Sequence, residues 1–370
     1  MSFVAPILRE ELADLAPYRP VDVPGIEVRL DANEAPRCEA PEIAAAVRRA
    51  VERVALERYP DPRATELREL LGARYRCDPD ALIVGTGSDE VIALVATAFA
   101  RPRAKEGGGT LPKPVLVVPT PTFVMYRVTG RAHGFKVVDV PLDDAWFVSL
   151  RSLRAAIDMM RPNVVFVATP NNPTGVREPH ATLAAIAEAC ASIEALFVID
   201  EAYGEYASDS AASLRREHEN VAVLRTLSKI GLAALRIGSI EAAPDVVLAL
   251  DKVRQPFNLS SVAQAVTCAV LREASDALED HVNLVRGERA RVYQELTRMS
   301  GVRPTPSEAN FHWIRTERPA DDVFRELAEA GILVRSFHER GGRLAQQLRV
   351  TVGTKAENDR FLEAMKRCAG

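Results

Sequence analysis

The hydrophobic pattern changes period twice along the chain. After an irregular arm over residues 1–40, PEIAAAVRRAVERVALER and RATELRELLGARYR carry apolar positions at helical spacing, with the polar break RYPDPR between them. Short Val- and Ile-rich runs then take over: ALIV, VLVV, KVVDV, VVFVAT, LFVID and VAVLRT, most of them separated by stretches of helical period. Such alternation predicts a mostly parallel sheet with helices on both faces. It stops near residue 260. There SVAQAVTCAVLREASDALEDHVNLVRGERARVYQELTRM reads as largely helical and as leaving the first domain. Strand-like FHWIR and QLRVTV around the helix ADDVFRELAEAG, closed by the helix AENDRFLEAMKRC, predict a smaller α+β unit. The expected organisation is an arm (1–40), a large α/β domain (41–260) and a small C-terminal domain (261–370).

In a sheet of this kind ligands sit beyond the carboxyl ends of the strands, so the residues after each apolar run carry the functional signal. Several are unusually polar. VGTGSDE follows ALIV, PTPTF follows VLVV, TPNNPTG follows VVFVAT, DEAY closes LFVID, and LSK follows VAVLRT. Five polar strand ends facing one cleft predict a site.

Composition narrows the function. With 370 residues, 47% hydrophobic and 26% charged, the chain suits about two globular units. A net charge of -4, from 47 basic and 51 acidic residues, gives no global field toward nucleic acid or anionic membrane. No apolar run approaches the roughly 20 residues a bilayer span requires, and MSFVAPILREEL lacks the basic head and apolar core of a signal peptide, so a cytoplasmic protein is expected. The five cysteines form no CxxC pair and the six histidines are scattered, so free thiols and no metal site are expected. Neither GxGxxG nor GxxxxGK[ST] occurs, which removes the usual nucleotide fingerprints.

The most specific element is Asn171-Asn172-Pro173-Thr174-Gly175, followed by Asp200-Glu201-Ala202-Tyr203, then Ser228-Lys229 with Arg236 seven residues on. These blocks resemble those of fold-type I pyridoxal-5′-phosphate (PLP) enzymes of the aminotransferase group. More narrowly, LDANEAP, RYPDPR, TGSDE, PTFVMY, TPNNPTG, DEAY, RTLSK, PSEANF, GILVR and LRVTVGT resemble the histidinol-phosphate aminotransferase family in order and spacing. Each block alone is weak, but ten in order are strong.

The resemblance implies a fold-type I architecture, PLP as cofactor, and transamination between histidinol phosphate and glutamate or 2-oxoglutarate, a step of histidine biosynthesis. PLP needs attachment, orientation and electrostatic tuning from the protein. Lys229 is the implied attachment point and proton carrier. Asp200, at the end of an apolar run, would be costly to bury alone and is the implied partner of the ring nitrogen, an ion pair that would lower its pKa; its other reading is a helix N-cap. Tyr203 and Asn172 are implied donors to the cofactor's phenolic oxygen, although Asn before Pro is also ordinary turn chemistry. Gly87, Ser88 and Asp89 open a helix whose amides suit a phosphate, with Ser228 and Arg236 completing the cradle; plain capping explains Ser88 and Asp89 equally well.

Phe123 is the implied ring-stacking residue. Tyr59 resembles the residue that reaches the neighbour's cofactor phosphate in a homodimer with shared active sites, against a reading of local packing. Arg349 matches the family's carboxylate clamp, for which a bidentate guanidinium has the right shape. Arg335 matches a substrate-phosphate contact, and Tyr18 and Asn33 match further substrate contacts. Two features depart from the family: the Lys229–Arg236 interval is one residue short, and the loop RPRAKEGGGTLPKP (101–114) is long. An aromatic amino acid aminotransferase or a threonine-phosphate-type decarboxylase could keep the same cofactor shell.

Overall fold

The computed structural model describes residues 8–13, 15, 17, 23–104, 109 and 112–368. Tyr18 and residues 105–108, 110 and 111 of the long loop lie outside the described residues. All six apolar runs form strands: β2 (Leu82–Thr86), β3 (Val115–Thr120), β4 (Lys136–Pro141), β5 (Val164–Ala168), β6 (Leu196–Asp200) and β7 (Val221–Thr226). A seventh, β8 (Ile237–Glu241), enters between β2 and β7, giving the order β2-β8-β7-β6-β5-β3-β4. β8 runs antiparallel to both neighbours and the rest pair in parallel. Two successive antiparallel steps leave β2 pointing the same way as β7. The carboxyl ends of β2, β3, β5, β6 and β7 therefore open on one side.

Sequence alternation sorts the strand side chains. Val165, Val167, Phe197, Ile199 and Val223 join one apolar cluster with the helices Leu150–Met160 and His180–Ala191. Val164, Phe166, Leu196, Val198 and Leu224 join another with the helices Gly87–Ala98 and Val124–Ala132. Burial on both faces is what a continuous apolar strand run requires.

The smaller sheet, β9 (Val302–Thr305), β10 (Phe311–Thr316), β12 (Arg335–Ser336) and β13 (Gln347–Thr351), is antiparallel in the order β12-β13-β10-β9. The arm is tied to this half of the molecule: β1 (Val28–Arg29) pairs in parallel with β11 (Ile332–Leu333), and the Thr351 N–H donates to the Leu30 carbonyl at 2.9 Å. The helical stretch after residue 260 breaks at Ala274 into Ser261–Glu273 and Ser275–Thr297. Its first part does not leave the larger unit. Val266, Cys268 and Val270 pack with Ala46, Ala50, Leu67 and Leu71 of the two N-terminal helices. Among the described residues no helix is long and apolar enough to cross a membrane.

Candidate active site

The polar strand ends meet in a cavity of about 270 Å³. Ser88 and Asp89 come from the segment after β2, Phe123 from that after β3, Asn172 from that after β5, Asp200 and Tyr203 from the end of β6, and Ser228, Lys229 and Arg236 from the segment after β7. Asn33 reaches it from the arm, and Arg335 and Arg349 from the smaller sheet. Tyr59 does not line it: its side chain is 83% exposed and stacks on Phe257, centroids 4.7 Å apart. Tyr59 thus packs on Phe257 of its own chain, outside the cavity.

Asp200 closes a fully apolar strand and is itself 3% exposed. Its Oδ2 accepts a hydrogen bond from the Tyr126 hydroxyl, and its Oδ1 accepts from the Ala202 N–H at 2.8 Å. Burial pushes the carboxyl up to about 6, against the pull of those two donors. The downward shift expected of an ion pair would need the cation beside it. Tyr126 lies within PTFVMY but sequence reasoning passed over it, because nothing local links it to a carboxylate 74 positions away.

The chain turns back after Lys229 through two short 3₁₀ turns, Leu227–Lys229 and Ala233–Leu235, and Arg236 then takes a left-handed conformation with φ 54°. Its carbonyl accepts from the Gly87 N–H at 2.7 Å, and its Nη2 lies 3.2 Å from Asp89 Oδ2. The short interval therefore keeps Arg236 at the start of the helix Gly87–Ala98. Gly87 has φ +75°, a backbone conformation that favours glycine, and a Cβ there would push the Arg236 guanidinium, 2.4 Å away, out of its place. Ser228 is buried, and its N–H donates to Thr226 Oγ1 at 3.1 Å.

Tyr203 sits edge-on to Phe311 at 5.1 Å and accepts from Asn33 Nδ2 at 2.9 Å, while Lys229 Nζ lies 5.7 Å from its ring centroid. Asn33 is 1% exposed, so its side chain acts on Tyr203 directly. Asn172 Oδ1 accepts from Arg349 Nη1 at 2.7 Å, leaving the NH₂ as the group this amide has to offer. Arg349 Nη2 also donates to the Asp31 carbonyl. Arg335 stands directly opposite Arg349 across β12 and β13, so both side chains leave the same face of the sheet. Like charges so placed repel, and an anion between them removes the cost. Arg340, on the β12–β13 connection, lines the same cavity and was also missed, because its only signal is its position in a loop.

These residues fit PLP. A buried carboxylate, an amine, an aromatic face at Phe123, a helix N-terminus with a nearby arginine, and a phenol already oriented by Asn33 supply each kind of contact that cofactor requires.

A family model of aminotransferase class I and II matches residues 26–365. The chain belongs to the class I and II aminotransferases. Among its relatives are histidinol-phosphate aminotransferase 2 of Nitrosococcus oceani, 36% identical over 98% of this chain and 97% of that one, and the histidinol-phosphate aminotransferase of Aquifex aeolicus, 34% identical over 97% of each. This aminotransferase also superimposes on the crystal structure of histidinol-phosphate aminotransferase from Sinorhizobium meliloti in complex with pyridoxal-5′-phosphate. The TM-score is 0.81, with 26% identity over 93% of this chain and 91% of that one.

Proposed function

We propose that this aminotransferase uses PLP to move the amino group of L-histidinol phosphate to 2-oxoglutarate, giving imidazole acetol phosphate and glutamate. The single observation that carries the substrate reading is the pair of opposed arginines, Arg335 and Arg349, on one sheet face above Lys229 and Asp200 in the same cavity. The curated relatives named for histidinol phosphate, at 34–36% identity over nearly the whole chain, support it.

When bound, PLP supplies the electron sink for the substrate carbon. The chain supplies the rest. Lys229 Nζ would hold the cofactor covalently and, as the amine in the cavity, would carry the proton to and from the substrate carbon. Asp200, through its buried carboxylate, would hold the ring nitrogen protonated. Tyr203 and the Asn172 amide would donate to the phenolic oxygen, and Phe123 would cover the ring. The helix amides at Ser88 and Asp89, with Ser228 and Arg236, hold the phosphate. Arg349, fixed by Asn172 and the Asp31 carbonyl, clamps a substrate carboxylate.

Glutamate carries two carboxylates, whereas histidinol phosphate carries a phosphate and an imidazole, so the arginines serve different anions in the two half-reactions. Arg335→Ala is expected to raise KM for histidinol phosphate strongly, and Arg349→Ala to harm both half-reactions. Each loss should be about 2–4 kcal/mol, roughly 30- to 1000-fold in kcat/KM. Steady-state rates with histidinol phosphate, histidinol and phenylalanine decide the substrate: if histidinol serves as well as its phosphate ester, the substrate reading fails while the PLP chemistry stands. Monitoring glutamate alongside carbon dioxide release separates transamination from decarboxylation.

The functional unit in this reading is a homodimer. Tyr59 and Leu56, each 83% exposed, and Phe257, 40% exposed, present apolar surface that a second copy would cover. Tyr59 of one chain would then reach the cofactor phosphate of the other. Inactive Tyr59→Ala chains mixed with inactive Lys229→Ala chains should regain activity at one site in each hybrid pair. Demonstrated exchange with no returning activity would contradict the shared site.

A further inference from the structure

We propose that Tyr126 is a positioning residue for the ring-nitrogen contact: its hydroxyl keeps the Asp200 carboxylate ionised and in one orientation, so the cofactor is met by a Tyr126–Asp200 pair. The inference rests on the reading of Asp200 given above.

Three neighbours fix the Tyr126 side chain, which is 0% exposed. Its ring stacks on Phe166 of β5, centroids 4.7 Å apart and planes 14° apart, and Phe123 meets it edge-on at 5.6 Å. A phenol held so deep must place its O–H on a partner, and that partner is Asp200 Oδ2. Ala202 N–H holds the other oxygen. With a donor on each oxygen, the carboxylate cannot rotate without breaking a buried bond.

The charge balance at Asp200 gives this bond its importance. Burial favours the neutral acid, and the neighbouring Asp89 and Glu201 push in the same direction; the Tyr126 hydroxyl and the Ala202 amide oppose them. Tyr126 keeps its own proton, because burial first and the Asp200 charge next drive its pKa well above the ordinary phenol value. It is therefore a donor throughout the working pH range. Remove that donor and burial prevails, so Asp200 takes a proton at a higher pH and stops being an anionic partner for a ring cation. Phe123, which would cover the ring, is packed against the same tyrosine, so one side chain supports both the face and the nitrogen of the cofactor.

Tyr126→Phe preserves the ring and its stacking while deleting the donor. The variant is expected to lose about 10- to 100-fold in kcat, the range for a hydrogen bond to a charged group. Its acid limb should move to higher pH, since the folded-state pKa of Asp200 rises when the donor goes. Two readouts independent of turnover accompany it: weaker PLP retention in equilibrium dialysis, and an upward shift of the Asp200 carboxyl titration followed by ¹³C NMR on the protein without cofactor. Replacing Tyr126 with 3-fluorotyrosine, of nearly the same shape and a stronger donor, should leave PLP retention intact and shift the Asp200 titration the other way. A Tyr126→Phe protein whose carboxyl titration and PLP retention match wild type, with only a lower melting temperature, would overturn the proposal. Asp200→Asn is measured in parallel. If it retains activity and PLP, the reading of Asp200 itself is wrong; if it fails while Tyr126→Phe behaves as wild type, only the present inference falls.

Discussion

Lys229→Ala is expected to lose transamination by at least about a thousandfold, the upper part of the range for removing a central general base, with loss of positioning added. Lys229 is the one amine among the residues lining the cavity, where the other cations are arginines that stay protonated and cannot relay a proton. Ser228 and Thr226 fix the backbone at its position, and the Tyr206 hydroxyl donates to the Lys229 carbonyl at 2.6 Å. The substitution thus deletes the amine from a site that is otherwise held in place. Borohydride reduction followed by peptide mapping checks the attachment point. Cofactor still covalently bound in the Lys229→Ala protein would remove Lys229 from its role.

Asp200→Ala should be the next most damaging change, costing about 3–5 kcal/mol, or roughly 10²- to 10⁴-fold in kcat/KM, the usual consequence of deleting one member of a buried charge pair. The Tyr126 hydroxyl and the Ala202 N–H lose their acceptor, and the cation the carboxylate serves loses its counter-charge. Asp200→Asn separates the two effects, because the amide retains a hydrogen-bonding oxygen and discards the charge. Equilibrium dialysis for PLP and single-turnover rates for each half-reaction are the measurements. Activity of Asp200→Asn within about threefold of wild type would mean that the charge is not what Asp200 contributes.

The parts of the fold legible in the sequence are those where burial is uniform. VLVV, VVFVA and LFVI are apolar on both faces because helices cover both, so composition alone reveals them. IGSIE was passed over because two of its side chains are polar and yet buried, Ser239 at 3% and Glu241 at 4%. Glu241 is tolerated there because Arg225 bridges it, at 3.2 Å, and Glu201, at 3.1 Å, an arrangement no single-strand pattern can announce. Likewise β1 and β11, two residues each, are too short to show a period. At the site, the residues at strand ends were readable from position and chemistry. Tyr126 and the attachment of Asn33 to Tyr203 were not, because each depends on a contact between distant segments.

The insertion of β8 between β2 and β7 also orders events in time. Among the described residues β2 has one sheet neighbour, β8, roughly 150 residues later in the chain, so the strand leading to Ser88 and Asp89 stays unpaired until that segment exists. On a ribosome adding about 5–20 residues per second, that is a wait of roughly 8–30 seconds during which β2 presents a bare apolar edge. The central parallel strands, β5 to β7, lie close together in sequence and can assemble during that interval. The cleft that would bind the cofactor is therefore completed near the end of the large sheet's assembly, when β8 brings Arg236 against Gly87. A nascent chain stalled before residue 236 would hold Lys229 and Asp200 while lacking the arginine side of the phosphate cradle.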